Sequence, residues 1–149
     1  MKRYLFTLFA LVCVLTGAWA DVTYPHSFGT GSQVDYDSTT GVMTVTINTN
    51  GDFKTFLDNV GYGNDNYNQN NVSKLRIVCN TGAVIRSSDL TGFASKYGQY
   101  GSLLDLTGAS FDSDNTLQTM VSQGAAYISL PTGKTLNDIT LPTTGILVG

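Results

Sequence analysis

One histidine, eleven acids that are all aspartate, and no glutamate limit the acid–base chemistry open to this chain of 149 residues. His26 stands beside Pro25 in the run DVTYPHSFGTGS, which Pro25, Gly29 and Gly31 punctuate into an irregular lead-in. A triad needs a nucleophile, a base and an orienting acid brought together, and no serine lies in a G-x-S-x-G elbow. His26 therefore reads as an incidental exposed side chain. Two carboxylate pairs, Asp35 with Asp37 and Asp112 with Asp114, are the candidates for the paired acid and base of glycoside hydrolysis. The first flanks Tyr36 on the polar side of a strand entering a turn, where solvation accounts for it. The second opens a helix, where carboxylates accept from free backbone N–H groups. No catalytic residue is assigned.

Ligand-type residues are more plentiful. The run GNDNYNQNN, residues 63–71, alternates Asn64, Asn66, Asn68 and Asn70 around Asp65, a spacing of oxygen ligands like that of calcium loops. It lacks D-x-D-x-D-G and a closing glutamate, so it reads as a long loop and no metal ligand is assigned. Asn71-Val72-Ser73 is a glycosylation sequon, meaningful only in a eukaryotic secretory pathway. Cys79 is the one cysteine after Cys13, too few for a Cys-based zinc site, and reads as a small buried hydrophobe. No cofactor is implied. Tyr62, Tyr67 and Tyr100 fall in loops, and Tyr62, Tyr67 and Asn68 together form a candidate carbohydrate site through ring stacking and amide hydrogen bonds.

The elements that must carry these residues follow from apolar periodicity. Val34 and Tyr36, then Met43, Val45 and Ile47, alternate with polar neighbours on either side of the turn DSTTG, residues 37–41, which predicts an antiparallel hairpin. From Gly51 the period changes. Phe53, Phe56, Leu57 and Val60 form a helical stripe with Asp52 at its positive end. The same pattern recurs in Leu90, Phe93, Ala94 and Tyr97 after Ser88-Asp89, and in Leu117, Met120 and Val121 after Asp112-Ser113-Asp114. Each stripe ends at a glycine: Gly61, Gly98 or Gly124. Phe53, Phe56, Phe93, Tyr97 and Phe111 are expected in the core.

Short apolar strands lie between and after these helices. Val72, Leu75, Ile77 and Asn80 fit L-x-x-L-x-L-x-x-N, and Leu104, Leu106 and Ala109 continue it with alanine at the asparagine position. Ile128, Leu130 and Gly133 fit more loosely. The steps from Leu75 to Leu104 and on to Ile128 are 29 and 24 residues, within the roughly 20–29-residue period of leucine-rich repeats. A strand, a crossover helix and a parallel neighbouring strand are what that spacing requires. In this register Arg76, Asp105 and Ser129 occupy equivalent outward positions, with Tyr127 nearby, and form a candidate ligand strip. ISLPTG and ITLPTTG break the period and look like two strands joined by a tight connection, their relative direction undecided.

The runs LRIVCNTGAVIRSSDLTGF, SLLDLTGASF and AAYISLPTGKTL resemble the first part of BspA-like leucine-rich-repeat surface proteins of gut and oral bacteria. The resemblance spans residues 42–142 and implies an exported α/β solenoid that binds ligands without catalysis. Such proteins carry many further repeats, whereas this chain reaches GILVG without a polar cap.

The N-terminus has a leader's form. Lys2 and Arg3 precede an apolar run from Tyr4 to Leu15, then Ala18-Trp19-Ala20 before Asp21, the order of a cleavable signal peptide over residues 1–20. Cys13 raises a lipoprotein alternative, but Leu11-Val12 are not the small residues that lipidation requires. No later run is long and apolar enough to span a bilayer. Net charge is −3 before cleavage and two units more negative after it, with only 13% of residues charged against about 25% usually. No basic patch is available for nucleic acid. The expected fold is thus one α/β domain over residues 21–149, a hairpin cap at 21–48 followed by a short leucine-rich-repeat-like strand–helix solenoid at 49–149. The expected function is a non-catalytic secreted or surface-displayed interaction module for a protein, peptide or glycan. The alternative is a carbohydrate-binding or periplasmic accessory protein using the Tyr/Asn loops. A secreted hydrolase is disfavoured by the missing glutamate and the isolated His26.

Overall fold

Alternation with period two puts one face of each strand in the core, and the computed structural model turns that pattern into one mixed sheet. It describes residues 24–60, 72–94, 103–123, 127–140 and 147–148. The strands are β1 (His26–Phe28), β2 (Ser32–Asp37), β3 (Val42–Ile47), β4 (Lys74–Cys79), β5 (Leu103–Gly108), β6 (Tyr127–Ser129) and β7 (Leu147–Val148). They lie side by side in chain order. β1, β2 and β3 pair antiparallel, and every later pair is parallel.

The hairpin β2–β3 stands where the alternation places it, and its turn is closed by Asp37, which accepts from Thr39 N at 2.8 Å and Thr40 Oγ1 at 2.7 Å. The lead-in is not irregular throughout, because His26–Phe28 forms β1 on β2, with Phe28 buried. Nor does the sheet break near residue 48: β3 pairs with β2 on one side and with β4 on the other.

Each parallel step crosses over through helical or turn structure, as parallel pairing requires. After β3, α1 (Asp52–Thr55) widens into a π-helical turn over Phe56–Val60, and Phe53, Phe56 and Leu57 are fully buried. After β4, the expected helix is divided into a 3-10 turn at Ser87–Leu90 and helical backbone that begins at Phe93 and Ala94. Gly92 stands between them with φ +88°, a left-handed conformation that a continuous helix cannot contain; Tyr97 and Gly98 lie outside the described residues. After β5, α2 (Asp114–Ser122) buries Leu117, Met120 and Val121. Its N-cap is Ser113, whose side chain accepts from Thr116 N; the flanking carboxylates do not cap it.

β6 pairs parallel with β7; a 3-10 turn takes up Leu136–Asp138, Ile139 and Thr140 lie outside any strand, and residues 141–145 of ITLPTTG lie outside the described residues. Ile139 is nonetheless buried, so its apolar character serves packing. One core cluster joins Met43, Val45, Ile47, Leu75, Ile77, Leu104, Leu106 and Ile128 of the sheet to the helix stripes. Phe53 lies against both Phe56 and Phe93, with ring centroids 6.1 Å apart in each pair. Phe111 is half-buried against this cluster.

Candidate functional site on the open sheet face

Residues between the buried ones point to the opposite face, and the register collects them into rows. One row runs Asp35, Thr44, Arg76, Asp105, Ser129 from β2 to β6. A second runs Asp37, Val42, Lys74, Leu103, Tyr127. Five adjacent strands make a face about 19 Å across, wider than three strands alone because β3 shares the register. Leu75 is paired with Leu104 and Leu104 with Ile128, as the repeat spacing requires.

Arg76 and Asp105 are joined across β4 and β5 by a bond from Arg76 Nε to Asp105 Oδ2 of 3.0 Å. Both occupy the outward position that the register predicts, but Asp105 there is only 7% exposed. A buried carboxylate must be compensated, and Asp105 also accepts from Thr107 N at 3.1 Å and Thr107 Oγ1 at 2.7 Å. Burial pushes this carboxyl up, but the Thr107 and Arg76 bonds outweigh it and hold it below the ordinary carboxylate value. Asp105 therefore acts as the anchor that orients Arg76, whose side chain remains 43% exposed. Ser129 is half-buried, and Tyr127 is 49% exposed.

The cations are unequally engaged. Lys54 pairs with Asp58, Arg86 with Asp89, and Lys134 with Asp114. Among the described lysines and arginines, Lys74 alone pairs with no described carboxylate.

Two other buried acids have structural partners. Asp52 accepts from Thr30 N at 3.0 Å and Ser32 Oγ at 2.5 Å, and Ser32 Oγ accepts in turn from Asn48 N at 2.8 Å. A Cβ on Gly29, whose φ is +54°, would lie 2.3 Å from Asp52 Oδ1, so glycine is required there. Asp89 is bound by Arg86 through N, Nε and Nη2, and Arg86 Nη2 packs over Gly51, 2.9 Å from where a Cβ would stand. Asparagines link successive turns: Asn48 Nδ2 donates to Thr30 O and Asn80 Nδ2 donates to Asn48 Oδ1, both at 3.1 Å. The sequence signal for Asn48 lies in Met43, Val45 and Asn48, which repeat the spacing of Leu75, Ile77 and Asn80.

The remaining candidates separate cleanly. Arg76, Asp105, Tyr127 and Ser129 share one face, while Tyr62, Tyr67, Asn68 and Tyr100 lie outside the described residues. His26 is exposed on β1. Asp112 accepts from Thr116 Oγ1, and Asp114 pairs with Lys134. Cys79 is half-buried with Sγ 3.7 Å from Ser110 O, and burial pushes its thiol up. Among the described residues no group of three or more His, Cys or Asp could hold a metal ion, and no helix is long and apolar enough to cross a membrane. No family model, curated protein or solved structure matches the chain.

Proposed function

We propose that this chain is a non-catalytic interaction module, exported by a leader at residues 1–20 and displayed at or released from a bacterial surface. Its ligand binds the open sheet face around Arg76, Ser129 and Tyr127, with Asp105 as the anchor of Arg76. The observation that carries this reading is the alignment of Arg76, Asp105 and Ser129 on adjacent strands beside a Tyr127 that is 49% exposed. Tyrosine and arginine are both among the residue types enriched at binding hot spots, and Tyr127 and Arg76 stand on one face two strands apart.

The strand order, the parallel register and the Asn48–Asn80 bond support reading residues 42–148 as a short leucine-rich-repeat-like solenoid. They likewise favour the likeness to BspA-like proteins over a hydrolase. The test is a binding panel of extracellular proteins, peptides and glycans, followed by titration of any ligand found. Arg76→Ala and Tyr127→Ala should each weaken binding by about tenfold or more. Full affinity in both variants, with melting unchanged, would move the site to the Tyr62–Asn68 loop.

A further inference from the structure

We infer that the open face takes an acidic carbohydrate, a sugar chain bearing carboxylate or sulfate groups, with Lys74 and Arg76 receiving the anion and Tyr127 stacking on a sugar ring. This rests on the preceding reading of the face as a binding surface and adds the chemistry of the ligand. Lys74 and Arg76 are two residues apart on β4 and project to the same side, about 7 Å from one another. Arg76 is balanced by Asp105, whereas Lys74 pairs with no described carboxylate, so this patch keeps a positive charge on a chain whose net charge is −3. An anionic ligand is repelled by the molecule at large and attracted here.

Asp105 on this face is paired with Arg76, and the two remaining acids fix where the ligand lies. Asp35 is two strands from Arg76, and Asp37 is two strands from Lys74, its oxygens taken by Thr39 and Thr40. Both sit on the β2 side, which directs an anion toward β4, β5 and β6. From Lys74 the row crosses Leu103 to Tyr127, about 10 Å over two strand spacings, a span suited to two linked sugar rings. A pyranose offers an apolar face to Leu103 and the Tyr127 ring, and its hydroxyls reach Ser129, two residues from Tyr127 on β6. An acidic peptide fits less well. Both backbone edges of β4 and β5 are already paired, so strand addition is closed on this part of the sheet, and peptide side chains would need pockets.

Calorimetric titration of the secreted protein tests the assignment with four probes: an oligogalacturonate, its carboxyl-reduced neutral form, a sulfated glycosaminoglycan fragment and an oligoglutamate of equal charge. Binding of the uronate or of the sulfated fragment upholds the inference and identifies the anion. The neutral form and the oligoglutamate should bind at least about tenfold more weakly, and Lys74→Gln and Tyr127→Ala should each lower the affinity about tenfold. Lys134→Gln, on a cation paired elsewhere with Asp114, should leave it unchanged. Binding of neither acidic sugar, equal binding of neutral and acidic sugars, equal binding of oligoglutamate, or full affinity in folded Lys74→Gln overturns the inference. If acidic sugars fail while another ligand still depends on Arg76 and Tyr127, only the ligand class is wrong. If every ligand ignores both residues, the binding face falls with it.

Discussion

Asp52, Asp89 and Asp105 are nearly withdrawn from water, yet each occupies a place where its oxygens are filled by nearby donors. Asp52 ties the β1–β2 turn to the start of α1, so Asp52→Ala should cost about 3 kcal/mol, since it strands the buried Ser32 hydroxyl and the Thr30 N–H. Urea denaturation measures this, and a cost below about 1 kcal/mol would mean that the turn is held otherwise. Asp105 makes a different prediction. Its carboxyl lies below the ordinary value of 3.8 in the folded protein, so its contribution is complete above the unfolded pKa and is lost as pH falls through the lower, folded one. Below about pH 4 the parent should therefore lose stability more steeply than Asp105→Asn. Asp37 and Asp138 are also held low and titrate in the same window, which is why the difference between parent and variant is the informative quantity; parallel curves would contradict the anchoring role. The pairing of Asp105 with Arg76 follows from the repeat register, but the burial of these three acids is not legible from residue type. Asp52 reads as a solvent-exposed dipole partner, and its burial depends on a turn twenty-odd residues away that no local pattern specifies.

Strand register was the most legible feature, because period-two alternation fixes which residues face the core and repeat spacing fixes which of them are neighbours. Leu104 is buried and paired with both Leu75 and Ile128, so Leu104→Ala should cost roughly 2–5 kcal/mol by equilibrium unfolding. Less was legible where two patterns competed. β3 belongs to the hairpin and to the parallel series at once, and the strength of its alternation with β2 hid the Met43–Val45–Asn48 spacing. The bond between Asn48 and Asn80 can be tested directly: a double-mutant cycle with both changed to alanine should give a coupling of about 0.5–1 kcal/mol. Zero coupling would leave the asparagines as independent turn residues. Helical stripes proved weaker guides than strands. Leu90 and Phe93 are buried as a stripe requires, but Gly92 at φ +88° separates them. Ile139 is buried without being in a strand, so burial alone imitated a strand signal.

At the scale of the whole molecule, the sheet is held by contacts between consecutive strands, and those contacts are uneven along its length. Among the described residues, β3 and β4 pair over six residues, β4 and β5 over four, β5 and β6 over three, and β6 and β7 over two. Where each unit contacts only its neighbours, stability is a sum of local terms, and the end with the shortest ladders opens first. The amides of Ile128 and Ser129 should then exchange with solvent well before those of Leu75 and Ile77, although all four residues belong to one sheet. Uniform protection across β3 to β6 would show instead that the molecule unfolds as one unit. The gradient bears on binding because Tyr127 sits on β6, the strand of the proposed site with the shortest described ladders, while Lys74 and Arg76 sit on β4 near the centre. A ligand that bridges β4 to β6 must stabilise the weaker strand as it binds, by linkage. Saturation with an acidic oligosaccharide should therefore slow exchange at Ile128 and Ser129 more than at Leu75 and Ile77. A ligand held by the central cations alone would leave β6 exchanging at its free rate, and native-state hydrogen exchange with and without the sugar distinguishes the two.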